Sequence, residues 1–240
     1  MKRLFLLMLP LLLQAAVLNA QVADPQDYLM DVIAELGKRW PDNRTVNVVF
    51  HGHSVPAGYA RTPVVNTLHA YPHQILCGIK EHYPNAVVNV ITTAIGGEQS
   101  EQGAARFEKE VLTHRPDVLF IDYALNDRTI GVTRSEAAWR SMIEEAIYQG
   151  VMVILMTPTP DLSEDIRSND ARLYAHVQMI RRLAEEFHLG LVDSYACFRA
   201  KAEAGENIAS YMAQVNHPNE RGHAVVAQEA LKWFCPQENE

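Results

Sequence analysis

Short β-branched runs alternate with amphipathic stretches along nearly the whole chain, and few folds accommodate that rhythm. The runs Val46–Phe50, Ala86–Thr92, Val118–Tyr123, Val151–Met156 and Leu189–Val192 are apolar with little interruption. Helical patterns follow them in turn: His73–His82, Ser100–Thr113, Ser135–Gln149, Asp170–Phe187 and then shorter pieces. A strand apolar on both faces needs cover on both faces, which is the condition of a parallel sheet. Alternating βα units therefore predict an α/β protein in three layers. An earlier stretch, Pro25–Trp40, has helical spacing through Tyr28, Leu29, Val32, Ile33 and Leu36 and leads into the domain. Thr133 and Glu136 have the spacing of a capping box, and Gly150 stands where the helix after them must stop.

The first twenty residues predict something other than fold. Lys2 and Arg3 precede an apolar block, Leu4 to Leu13, and small residues follow at Ala15, Ala16 and Ala20. This is the pattern of an export signal, cut after Ala20 or Ala23, and the block is short for a membrane span. The mature chain, 21–240, is expected to form a single domain that is periplasmic or secreted. Without the first twenty residues, 19 basic side chains face 29 acidic ones, a formal charge of −10. A balance so acidic argues against nucleic acid as a partner. Cys77, Cys197 and Cys235 match no zinc motif; they permit one disulfide and a spare thiol, or three buried, unpaired thiols.

In open parallel sheets, ligands sit at the carboxyl ends of the strands. Four positions there combine into a chemistry. Ser54 follows the first strand in a Gly-flanked turn, Gly96 and Gly97 follow the second, and Asn126 and Asp127 follow the third, while His217 precedes the terminal helix. Alone, each reads as an ordinary turn or capping residue. Together they supply a hydroxyl, a backbone donor, an amide donor and an imidazole on one sheet edge, the set that acyl transfer requires. Imidazole titrates near neutrality and is the usual base for a serine hydroxyl.

With these four blocks in this order, the sequence resembles the SGNH hydrolases, or GDSL esterases and lipases. The resemblance implies a flavodoxin-like α/β/α sandwich with five parallel strands. It implies catalytic roles for Ser54 as nucleophile, His217 as base, and Gly97 and Asn126 as oxyanion donors, with no metal or organic cofactor. Three positions depart from the family pattern: His53 replaces Asp before the serine, Ala124 replaces Gly before the asparagine, and Gln214 replaces the acid three residues ahead of the histidine. The last change predicts a Ser-His dyad oriented by Gln214 or a backbone carbonyl, unless Asp193 or Asp122 supplies the acid.

A rival reading gathers His51, His53, His217, His223 and Asp127 around a metal, as in a phosphoesterase-like hydrolase. Another makes the chain a carbohydrate-binding relative with weakened catalysis. His223 is expected to face the terminal helix or its solvent side, and Thr157–Pro160 to form a stiff wall of the crevice. Tyr59, Tyr123 and Arg128 are candidate neighbours of the substrate. Short, polar loops after the strands favour a small acyl group, acetyl first, on a polar alcohol such as a carbohydrate.

Overall fold

The computed structural model describes residues 21–236, so the expected export signal, 1–20, lies outside the described residues. In chain order the elements are α1 (Met30–Leu36), β1 (Thr45–Gly52), α2 (Ser54–Ala57), α3 (Tyr71–His82), β2 (Val87–Thr92), α4 (Ser100–Glu110), β3 (Val118–Asp122), α5 (Ala124–Asp127), α6 (Val132–Tyr148), β4 (Met152–Met156), α7 (Arg172–Glu186), β5 (Gly190–Val192), α8 (Ser194–Glu203), β6 (Met212–Gln214), β7 (His217–Pro218) and α9 (Glu220–Leu231).

β1 to β5 form one sheet in the order β2-β1-β3-β4-β5, and every pairing is parallel. β3, at the centre, is buried at every residue, whereas β2, at the edge, has no buried residue. Alternation along β1 divides the core in two. Val46, Val48 and Phe50 join a cluster with side chains of α1, α3, α8 and α9; Val49 joins another with side chains of α4, α6 and α7. The result is the expected three-layer α/β/α sandwich.

The chain runs from β1 outward to β2, then crosses back to β3 on the other side of β1. Such a reversal leaves a crevice at the carboxyl ends of the strands. Three of the four candidate positions therefore follow the strands that define this reversal.

Several local expectations need correction. The first helix is shorter than its periodicity suggested, Met30–Leu36, with Gly37 as its C-cap. The Thr133–Glu136 capping box does not form, because Thr133 lies inside α6 and the N-cap is Gly131. A capping box does form at α4, between Gln99 and Gln102. Gly150 has φ +75° just beyond α6, as a helix stop requires. All three cysteines are free, and Cys77 is exposed rather than buried. The connection 157–171 after β4 is long, and Ile95 and Leu162, in loops after strands, are exposed apolar residues, contrary to the expectation of short polar loops.

Candidate active site

Ser54 opens α2 immediately beyond β1, so its hydroxyl emerges at the sheet edge and its N–H is a first-turn amide without an intrahelical acceptor. His53 caps this short helix: its Nδ1 accepts the Val55 N–H at 3.2 Å. The imidazole thus performs the capping task to which an aspartate is suited. His217 is delivered from the opposite end of the chain by a small antiparallel hairpin in which Gln214 of β6 pairs with His217 of β7. Nε2 of His217 lies 2.9 Å from Ser54 Oγ, and both residues are buried.

The other ring nitrogen has two partners with opposite demands. Ala60 O lies 3.0 Å from Nδ1 and, as a carbonyl, can only accept, so it requires a proton there. That tautomer leaves Nε2 bare to receive the serine proton. Gln214 Nε2, a donor, stands 2.8 Å from the same Nδ1, while Gln214 Oε1 accepts from the Thr62 N–H at 3.1 Å. The amide is therefore turned with its wrong end toward a protonated Nδ1. Burial lowers the His217 pKa from the ordinary histidine value, the hydrogen bond to Ala60 O raises it, and the nearby His53 lowers it again.

Neither alternative acid reaches His217. Asp193 caps α8, accepting from Thr157 Oγ1, Ala196 N–H and Arg181. Asp122 accepts from Tyr71 OH at 2.9 Å, and its second oxygen lies 3.4 Å from His53 Nε2. At that separation the His53 contact is too long to be a well-formed hydrogen bond.

Gly97 and Asn126 sit beside each other through a shared neighbour. Gly97 has φ +81°, and a Cβ placed there would meet nothing within 4 Å, so backbone conformation rather than crowding calls for glycine. Crowding belongs to Gly96, whose Cβ would come within 2.9 Å of the Tyr59 ring. Asn126, in α5, donates from Nδ2 to Glu98 O at 2.9 Å, which leaves the second N–H of that amide for another acceptor. Ala124, at the position where the family pattern has glycine, is buried at the start of α5.

The metal constellation does not assemble. No group of three or more His, Cys, Asp or Glu side chains suited to a metal occurs among the described residues. The lone pairs it would need are engaged elsewhere. His51 points into the α4 layer, bonded to Thr93 Oγ1, Gly103 O and Tyr123 OH, and burial pushes its pKa down to about 3. Asp127 accepts from Ser100 N–H, Ser135 Oγ and Trp139 Nε1, all within 2.9 Å. His223 is buried rather than solvent-facing; its Nδ1 accepts the Tyr71 N–H, and burial lowers its pKa to about 4.

Of the candidate substrate neighbours, Tyr59 lies beside the dyad, its ring 5.9 Å from that of His217. Tyr123 is buried, its hydroxyl donating to Glu98. Arg128 is committed to Asp161 and Glu164, which ties down the segment after β4. Thr157–Pro160 is buried, with Thr157 bonded to Asp193 and Tyr195, so it is packing rather than an exposed wall. A cleft of about 540 Å³ between 160–167 and the turn around Glu206–Ala209 is lined by neither Ser54 nor His217. Ala60 and Glu98 escaped sequence reasoning. A backbone carbonyl has no residue signature; Glu98, directly after the two glycines, could have been noticed.

Comparison with known proteins bears on the family and the fold. A sequence profile of the GDSL-like lipase/acylhydrolase family matches residues 50–225. An acetylxylan esterase from Geobacillus stearothermophilus is 24% identical over 162 residues, covering 62% of this chain and 74% of that protein. A crystal structure of an acetylxylan esterase from the same organism superposes with a TM-score of 0.68 at 22% identity, covering 79% of this chain and 94% of that one. A two-domain esterase active on acetylated mannans gives a TM-score of 0.69 at 20% identity, over 90% of this chain and 54% of that one.

Proposed function

Since the chain belongs to the GDSL-like lipase/acylhydrolase family, the SGNH hydrolases, we propose that it removes an acetyl group from a carbohydrate through an acyl-enzyme on Ser54. The observation that carries this reading is the 2.9 Å contact between Ser54 Oγ and His217 Nε2. Ser54 attacks the ester carbonyl as His217 takes its proton on Nε2. Nδ1–H keeps its bond to Ala60 O, so the imidazolium that forms retains one acceptor. The oxyanion is held by the Ser54 and Gly97 N–H groups and the Asn126 side chain, and one such donor is worth about 3 kcal/mol in the transition state. His217 then returns the proton to the leaving alkoxide. Water, deprotonated by the same nitrogen, releases the acid and restores Ser54.

The names of the relatives support the choice of substrate, since they act on acetylated xylan and acetylated mannans. The test is acetate release from acetylated xylooligosaccharides and a chromogenic acetyl ester. Turnover is expected in the wild type, with or without chelator, and is expected to vanish in Ser54→Ala. Turnover that survives Ser54→Ala, or that disappears on chelation, overturns the reading; glycan binding without turnover supports the binding-module alternative.

Export is part of the same proposal. Ala23 is buried and its N–H donates to Leu189 O at 3.0 Å, while Gln21 O lies 2.9 Å from His188 Nδ1. A cut after Ala20 preserves both contacts and a cut after Ala23 removes them. N-terminal sequencing of the exported protein is therefore expected to begin at Gln21, and a start at Asp24 would refute this choice.

A further inference from the structure

Gly97 presents a puzzle of support: a Cβ placed on it would meet nothing within 4 Å, so its open side gives no support, yet an oxyanion donor must be held to within a fraction of an ångström. The residue that follows it supplies the anchorage. Glu98 is a buried carboxylate with three donors on its two oxygens: Arg106 Nε at 2.7 Å on Oε1, and Arg106 Nη2 at 2.6 Å and Tyr123 OH at 2.7 Å on Oε2. Arg106 Nη2 also donates to Thr93 O at 2.7 Å, at the end of the second strand, and Tyr123 OH lies 3.1 Å from His51 Nε2. The main chain of Glu98 is bound as well. Its N–H closes the turn onto Ile95 O at 3.2 Å, and its carbonyl accepts from Asn126 Nδ2 at 2.9 Å. Neighbouring residues repeat the stitch, with Ser100 N–H on Asp127 Oδ1 at 2.8 Å and Gln99 Nε2 on Thr129 Oγ1.

A surface turn would need none of this, and burying an ion pair carries a desolvation penalty that simple packing avoids. We propose that Glu98 is a positioning residue: its carboxylate clamps the turn that carries Gly97 while its carbonyl orients Asn126, so one residue aligns two of the three oxyanion donors. It touches no reacting atom and acts through those two donors. The inference rests on the ester-hydrolase reading of Ser54.

The test compares Glu98→Gln, Tyr123→Phe, Asn126→Ala and the double variant Glu98→Gln/Asn126→Ala, with melting temperature measured for each. The readouts are kcat and KM on a chromogenic acetyl ester, and inhibition by a boronic acid whose tetrahedral Ser54 adduct places an oxygen in the oxyanion site. Losing a donor outright costs about 10²–10³ in kcat, so misaligning two is expected to lower kcat about 10–100-fold in Glu98→Gln, with KM changed less than about threefold. The boronic acid should weaken by the same factor. The double variant should lose less than the product of the single effects, because both act on the same donors. Tyr123→Phe, which keeps the Arg106 pair, should show a smaller loss of the same kind. A folded Glu98→Gln with wild-type kcat and wild-type boronic acid affinity overturns the proposal, as does a fully multiplicative double variant. If Glu98→Gln does not fold, an unchanged kcat in Tyr123→Phe overturns it. Absence of Ser54-dependent turnover in the wild type would instead overturn the ester-hydrolase reading.

Discussion

Replacing Gln214 by glutamate is expected to make the enzyme faster. The two side chains have the same shape, and both of the positions Gln214 offers face N–H groups: Thr62 N–H at 3.1 Å from Oε1, and His217 Nδ1 at 2.8 Å from Nε2. A carboxylate accepts from both, and it removes the conflict between an amide donor and the protonated Nδ1 that Ala60 O demands. With charge centres about 4 Å apart and an effective dielectric constant near 20, the attraction to the imidazolium is about 4 kcal/mol. Desolvating the new carboxylate at a partly buried site costs about half of this, leaving about 2 kcal/mol, or roughly 30-fold in rate. The ceiling is the loss of about 10⁴ seen when a triad aspartate becomes an amide. The sign for pH follows from the same interaction. A carboxylate favours the charged ring, so it raises the His217 pKa that burial now depresses, and the rising limb of the kcat/KM profile moves to higher pH. Measuring kcat/KM on a chromogenic acetyl ester from pH 5 to 9 tests both parts. A folded Gln214→Glu whose plateau equals or falls below the wild type, with an unmoved limb, refutes the reasoning.

Stability is expected to fall as pH drops below about 6.5. His51 and His223 stay neutral in the folded protein down to about 3 and about 4, whereas the unfolded chain takes up their protons near 6.5. The unfolded state therefore binds more protons in this window, and at pH 5 each site withdraws about 2 kcal/mol of stability. Equal denaturant midpoints at pH 7 and pH 5 would contradict this. Gly52→Ala should destabilise the junction ahead of Ser54, since its Cβ would come within 2.3 Å of Asp122 O and 2.9 Å of Pro56 Cγ. Overpacking against a backbone oxygen costs about 3 kcal/mol, and a melting temperature within about 2 °C of wild type would show that the strands can separate to admit it.

The alternation of apolar runs and amphipathic stretches made the sandwich legible, because burial on both faces of a central strand such as β3 leaves no other way to satisfy an unbroken run. Element boundaries were less legible. Thr133 and Glu136 satisfy the spacing of a capping box, which would start the helix at Arg134, yet the helix begins two residues earlier at Val132, with Gly131 as its N-cap at φ +80°. The histidines of the rival metal reading illustrate the same limit. His51 and His53 share strand parity, but one lies inside the α4 layer and the other turns over to cap α2, and spacing alone contains neither outcome.

What the sequence determined by itself is the layer architecture and the edge on which chemistry can occur, because hydrophobic periodicity and strand-end position are local properties written into each segment. The orientation of His217 was decided only in three dimensions. Its proton partner is the carbonyl of Ala60, an atom every residue possesses, brought to 3.0 Å by a turn on the opposite side of the chain's course. Glu98 became visible in the same way: its neighbours Arg106 in α4, Tyr123 at the junction of β3 and α5, and Asn126 in α5 lie apart from it in sequence, and only their convergence distinguishes an anchoring carboxylate from a surface one.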